Sequence, residues 1–165
     1  METSTITRRI CIHSRFLDSK INQHLLRELS KITANECSKD HGYIISVQCI
    51  NSIINQTIGR VNNDNVFTIE FDALTLNPKV GKEVLGTVCM IFKDGIFLNI
   101  MDRQKMLIPA TTLVSDNGEH GFDENTGNYL ISGRCVKVGD DLEAVITDSQ
   151  YSNGFFSCLG TLKDL

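Results

Sequence analysis

The chain has 165 residues, of which 41% are apolar and 22% charged, with a formal net charge of -4. That is a globular composition, enough for one ordinary domain or two small ones, and no apolar run approaches the roughly 20 residues a bilayer-spanning helix needs. The charge is uneven: residues 1–81 carry nine Lys/Arg against eight Asp/Glu, and 82–165 carry seven against twelve. An acidic second half argues against strong, sequence-blind nucleic-acid binding, which needs a dense basic footprint.

In chain order, residues 5–12 (T-I-T-R-R-I-C-I) predict a strand, because β-branched residues dominate. Asp18 is a candidate N-cap for the helix that follows, in which Ile21, Leu25, Leu29 and Ile32 form an apolar stripe widened by Leu26, opposite Asn22, Gln23, Arg27 and Lys31. A stripe of this width predicts a helix packed on one face of a sheet. Residues 43–50 predict a second strand and 66–76 a third, with Phe67, Ile69 and Phe71 on one face. Leu74 and Leu76 break that parity, which predicts a bulge near Asp72 and Ala73. Between the two strands, residues 51–65 predict a long loop. Its isoleucines, Ile53, Ile54 and Ile58, either cap the local core or protrude to anchor another protein.

Asn77-Pro78-Lys79-Val80-Gly81 punctuates the chain between two strand-rich regions and divides it into domains 1–80 and 81–165. In 81–109, Val84, Val88 and Met90 alternate with Leu85, Thr87, Cys89 and Ile91, and Gly86 predicts a bulge or tight bend. Lys93-Asp94-Gly95 supplies a hairpin turn, after which Ile96, Leu98 and Ile100 share one face and Phe97, Asn99 and Met101 the other. Phe97 is therefore an aromatic directed away from the aliphatic row. Residues 115–127 are polar and predict a loop. Residues 129–136, 142–147 (with Leu142, Ala144 and Ile146 on one face) and 155–162 predict further strands, with turns at Val138-Gly139-Asp140-Asp141 and Ser152-Asn153-Gly154. The fold class is α+β: a helix on an antiparallel sheet, followed by a five-stranded barrel.

Six single cysteines, Cys11, Cys37, Cys49, Cys89, Cys135 and Cys158, show no zinc-ligand spacing and predict a reducing, intracellular compartment. The sequon Asn55-Gln56-Thr57 stands without any other sign of secretion, and no signal peptide is evident. His13, His24, His41 and His120 are far apart. Glu119, His120, Asp123 and Glu124 form the one polar cluster that could suggest a metal or acid–base site, and its glycine-containing loop reads as solvated surface. No nucleophile elbow, phosphate-cradling loop or H-E-x-x-H is present, so the sequence predicts no catalytic residues, no metal and no cofactor.

Val84, Gly86, Val88, Gly95, Phe97 and Met106-Leu107-Ile108-Pro109 resemble the first three strands of the OB barrel named for ribosomal protein S-one. A wider resemblance covers nearly the whole chain. It is carried by His41-Gly42-Tyr43-Ile44-Ile45, by 67–71 with Ala73 and Leu74, and by Pro78-Lys79-Val80-Gly81-Lys82-Glu83-Val84. Further on it continues through Gly95-Ile96-Phe97, Phe122-Asp123-Glu124-Asn125, Gly139-Asp140 and Cys158-Leu159-Gly160-Thr161-Leu162. In order and spacing these resemble the stalk subunit of multisubunit DNA-dependent RNA polymerase, the seventh-largest subunit of the eukaryotic nuclear enzyme and its archaeal counterpart.

The resemblance implies a non-catalytic subunit whose first domain docks on the polymerase core near the clamp and whose barrel leans towards the emerging transcript. It makes Ile53, Ile54, Asn55, Gln56, Thr57, Ile58, Gly59 and Arg60 the core-contacting tip loop. It places Phe97 on the transcript-facing side with Phe92, Lys93, Arg103 and Lys105 as neighbours. The implied partners are the large catalytic and clamp-associated subunits, a stalk partner like the fourth-largest subunit, and nascent RNA weakly bound. Asp94 stands where many such barrels have a first exposed aromatic, and Pro109 where they have histidine, which weakens RNA binding. The tip also lacks the usual glycine-rich sequence, and isoleucine and asparagine are abundant. The chain so resembles a divergent copy from a large DNA virus with its own polymerase, working in a nucleus, at a cytoplasmic viral transcription site or in the virion. Two other readings remain: a free-standing single-stranded-RNA-binding module, and a metal-dependent nuclease acting through Glu119 and Asp123.

Overall fold

The computed structural model describes residues 1–58, 64–113 and 121–163. The chain forms two compact units, Met1–Asn77 and Pro78–Leu165.

The first unit is a four-stranded antiparallel sheet in the order β1-β4-β3-β2, from strands β1 (Glu2–His13), β2 (Cys37–Ser38), β3 (Gly42–Ile58) and β4 (Asp64–Leu76). One helix, α1 (Ile21–Thr33), packs on it. Strand β4 is central and alternates without a break from Asn65 to Thr75, burying Phe67, Ile69, Phe71 and Ala73 on the helix side. The bulge predicted at Asp72 and Ala73 is absent from β4, because Thr75 takes the inward position that sequence parity assigned to a hydrophobe. Its hydroxyl bonds to Ser4 at 3.1 Å and to the Glu2 carbonyl at 3.2 Å, which makes burial of a polar side chain tolerable.

The irregularity sits on β3 instead. Its register against β4 slips by one residue at four places, between Ile44/Ser46, Val47/Cys49, Ile50/Ser52 and Ile53/Asn55. An extra residue every third position bends a strand and raises its twist. Residues 51–58, read from sequence as loop, are thereby strand, paired with β4 up to Ile58 opposite Asn65. Residues 59–63 of the predicted loop lie outside the described residues.

Helix α1 buries Leu25, Leu29 and Thr33 rather than the predicted Ile32, which is half exposed. The strict four-residue step from Leu25 turns Thr33 inward, and its hydroxyl returns a hydrogen bond to the Leu29 carbonyl at 2.7 Å. Asp18 does not cap this helix: Lys20 occupies the N-cap position without a side-chain bond, while the Asp18 carboxylate accepts from the Lys20 amide in the preceding turn.

A half-buried charged residue, Arg8, points to the core side of β1. Arg8 lies between Ile6 and Ile10, and its guanidinium pairs with both oxygens of Glu36, the Nε contact being 3.3 Å. His41 joins this group, its Nδ1 2.8 Å from the Ser38 hydroxyl and its Nε2 3.7 Å from Glu36. Burial first, and then the Arg8 charge, push the His41 pKa below its ordinary 6.5, against the opposing pull of Glu36 and Asp40. A histidine with a depressed folded-state pKa binds its proton more readily when unfolded, so its contribution is present above pH 6.5 and lost as pH falls through the folded value. Denaturant midpoints measured between pH 7.5 and 5 should fall more steeply for the native chain than for His41→Gln. Equal slopes would remove His41 as the cause.

The second unit is a closed barrel of β5 (Glu83–Phe92), β6 (Gly95–Ile100), β7 (Gln104–Pro109), β11 (Asp141–Ser152) and β12 (Phe155–Leu162). A small sheet of β8 (Gly121–Phe122), β9 (Tyr129–Ile131) and β10 (Arg134–Val136) and a short helix, α2 (Ala110–Leu113), lie between β7 and β11 in the chain. Counting only barrel strands, the order around the barrel is first, second, third, fifth, fourth and back to first, with β7 and β12 parallel. This order fits the OB-fold, a five-stranded Greek-key barrel. Its interior is filled by Val88, Ile96, Leu98, Ile100, Met106, Ile108, Ala144 and Ile146.

The predicted bulge at Gly86 is likewise displaced. Gly86 is in register, and what requires glycine there is a close approach: a Cβ would meet that of Leu98 at 2.9 Å. The slip falls between Val88 and Met90, at Cys89. It moves Met90 off the Val88 face, where sequence alternation had put it, and pairs it with Phe97.

Candidate functional site

Two surfaces carry the residues singled out from sequence, one on each unit.

On the first unit, Ile53, Ile54, Asn55, Gln56, Thr57 and Ile58 form the distal part of β3, all exposed. Ile54 is 57% exposed and Ile58 74%, values that rule out the reading in which they cap a local core. Gly59 and Arg60 lie outside the described residues. The exposed isoleucines therefore stand on a hydrogen-bonded β-ribbon, where backbone pairing to β4 fixes their positions more tightly than a loop would.

On the barrel, Phe97 projects outward from β6 between the inward Ile96 and Leu98. Cross-strand register sets its neighbours: Met90 on β5, Leu107 on β7 and, from Leu107, Leu159 on β12. These four form an apolar row across the outer face. The adjacent row is polar, with Thr87, Asn99 and Lys105 in register. Phe92, at the end of β5, meets the Phe97 ring edge-on at 5.9 Å between centroids and is half exposed. Lys93 is next to it in the turn, and Lys105 is one rung diagonally from Phe97. Arg103 is not a neighbour: it lies beyond the far end of β6 and β7, where its amide bonds to the Ile100 carbonyl, roughly 13 Å along the strand from Phe97.

The electrostatics of this face are mixed. Lys93 and Lys105 stand against Asp94 in the turn, Asp102, which accepts from the Asn99 amide at 2.8 Å, and Asp148, level with Leu159. An aromatic with flanking cations can stack a base and hold a phosphate, but so few cations give little counterion release.

Of the polar cluster 119–124, Glu119 and His120 lie outside the described residues. Asp123 accepts from the Thr126 hydroxyl at 2.8 Å and from the Asn125 amide at 2.9 Å, bonds that hold its carboxyl below the usual carboxylate range. It is committed to ordering its own turn. Among the described residues no group of three or more His, Cys, Asp or Glu is placed to hold a metal ion, and no helix is long and apolar enough to cross a membrane.

No family model matches the sequence. Over 161 residues the chain is 24% identical to DNA-directed RNA polymerase II subunit RPB7 of Glycine max, a match covering 96% of this chain and 90% of that protein. It is 23% identical, with the same coverage, to DNA-directed RNA polymerase II subunit 7 of Arabidopsis thaliana. The similarity supports the polymerase stalk-subunit family. Among solved structures, the apo form of Mycoplasma genitalium RNase R matches 48% of this chain at a TM-score of 0.40 and 22% identity, across 13% of its own length. The same enzyme in complex with ribose-methylated single-stranded RNA matches 50% of this chain at 0.42 and 23%, again across 13% of its own length.

The stalk-subunit similarity runs through both units, and so through both surfaces. Sequence reasoning missed Met90, Leu107, Leu159 and the half-exposed Phe155 as members of the barrel's outer face. For β12 the signal was available: Phe156 and Cys158 are inward, so alternation puts Phe155 and Leu159 outside. For Met90 no signal existed, since only the pairing of β5 with β6 reveals the bulge at Cys89.

Proposed function

We propose that this chain is a non-catalytic stalk subunit of a DNA-dependent RNA polymerase. The observation that carries the reading is the end-to-end similarity to two polymerase II subunits, 161 residues long and passing through both units. In this proposal the first unit docks on the core enzyme near the clamp through the β3 ribbon, with Ile53, Ile54, Asn55, Gln56, Thr57, Ile58, Gly59 and Arg60 in contact. Its partners are the large catalytic and clamp-associated subunits, joined by a second stalk subunit like the fourth-largest. The barrel, of the ribosomal S-one type, stands by the exiting transcript, where Phe97, assisted by Phe92, Lys93 and Lys105, stacks a base worth about 1–3 kcal/mol. Arg103 contributes only long-range charge. The isoleucine- and asparagine-rich sequence fits a divergent copy encoded by a large DNA virus, acting in a nucleus or at a viral transcription site.

The test is co-purification from the source cells. The tagged chain should bring down the large catalytic subunits, and Ile54→Asp/Ile58→Asp should release them without changing the circular dichroism spectrum, because both side chains are already in water. Association unaffected by that double change would remove the ribbon as the contact. The other reading, a free-standing RNA-binding module, is supported by the outward aromatic pair Phe92 and Phe97. It requires tight binding of single-stranded RNA by the isolated chain at physiological salt, which the acidic second half opposes.

A further inference from the structure

Strand β3 is 17 residues long, but β2 covers only its beginning, Cys37 opposite Tyr43 and Ser38 opposite Gly42. From Ile45 onward its outer edge has no strand against it among the described residues. Exposed edges are templates for pairing with other chains, and proteins usually blunt them with charged side chains or proline. Gly42–Ile58 contains no Asp, Glu, Lys, Arg or Pro, in a chain of which 22% is charged.

Beside this edge runs a groove of about 470 Å³ between α1 and β3, lined by Asn22 and Leu26 of the helix and by Gln48–Ile53 of the strand, with Ile50 and Ile53 on the helix side. No residue lining it carries a charge. A helix flank on one side and an unpaired strand edge on the other is the geometry in which an extended peptide adds as a strand, its backbone meeting the edge and alternate side chains entering the groove. The repeated bulges coil β3, so a long flat sheet cannot extend from it, whereas a segment of about five or six residues, roughly 20 Å, fits along Gln48–Ile53.

We propose that this groove binds a short, extended, uncharged segment of another protein as an added strand. Leu26, Ile50 and Ile53 receive its apolar side chains, and the amides of Asn22 and Gln48 line its rim. The absence of charge selects the occupant: a charged segment would give up hydration on entering with nothing to pair against. The groove shares Ile53 with the proposed core contact, but its other lining residues, Asn22, Leu26 and Gln48–Ser52, lie outside that contact, so the proposal does not rest on the polymerase reading.

The experiment uses the full chain and a random nine-residue peptide library displayed on phage, followed by synthetic copies of the enriched sequences. Enriched peptides should lack charge over the central five residues, alternate apolar with small or polar residues, and slow amide hydrogen exchange within Gln48–Ile53. Gln48→Lys/Ser52→Lys in the protein, and N-methylation of alternate central amides in the peptide, should each weaken binding about tenfold or more, with the spectrum of the free protein unchanged. No enrichment, binding insensitive to both changes, or concentration-dependent pairing of two copies through Gln48–Ile53 would each overturn the proposal. A chain that binds such peptides but fails to co-purify polymerase would leave this site standing while the stalk reading falls. Co-purification without peptide binding would do the reverse.

Discussion

Alanine at Gly42 is expected to destabilise the first unit by roughly 3–5 kcal/mol, the sum of backbone strain and steric overlap. Gly42 has φ +75, in the left-handed region, and opens β3 where the end of β4 passes closest. A Cβ there would stand 2.2 Å from the Leu76 carbonyl oxygen and 2.7 Å from the Asn77 Cα, both backbone atoms that no rotamer change can move. The chain would have to pull β3 and β4 apart at the end remote from their connection, beside the Tyr43–Leu76 rung. A loss of that size is a large fraction of what a small domain possesses. Urea denaturation followed by amide exchange should show protection lost across β3 and β4, while the Pro78–Leu165 unit keeps its own. A midpoint within experimental error of the native chain would mean that the close approach is not as described.

The second large effect is expected from Phe71→Ala. Phe71 is fully buried at the middle of β4, flanked along its face by Ile69 and Ala73, and it opposes Ile6 on β1 and Ile50 on β3. Its ring belongs to the cluster that joins Leu25 and Leu29 of α1 to three strands, so its removal leaves a cavity that no neighbour can fill without moving the helix. Burying a phenylalanine and then excising it typically costs about 3–5 kcal/mol. Phe71→Leu, which keeps most of the volume, should lose less than half as much by the same measurement. Equal losses for the two variants would show that shape, rather than the cavity, governs the site.

These two residues differ in how readable they were. Phe71 announces itself, because period-two alternation with Phe67 and Ile69 marks the inward face of a strand without further information. Gly42 does not: a glycine after His41 reads equally well as a helix stop, and only the approach of Leu76 shows why a Cβ is forbidden. The candidate site divides the same way. Phe97 was visible as an outward aromatic because Ile96, Leu98 and Ile100 define the other face. The apolar row it belongs to, Met90, Leu107 and one strand further Leu159, comes from three other strands, and Arg103, near in sequence, is far along the barrel wall.

By itself, the sequence determined what depends on near neighbours along the chain: where the helix and most strands run, which face of a regular strand is apolar, and where proline and glycine punctuate the chain. Hydrophobic period and turn chemistry are local properties, so they survive without knowledge of partners. Only the tertiary structure decided the register, and with it that residues 51–58 are a paired ribbon and not a loop, that Thr75 and Thr33 turn inward, that Cys89 carries the barrel's bulge, and that no described strand covers the edge of β3 beyond Tyr43. Register is set by which strand lies alongside and how many residues each contributes, a relation between distant segments that no window of one segment contains.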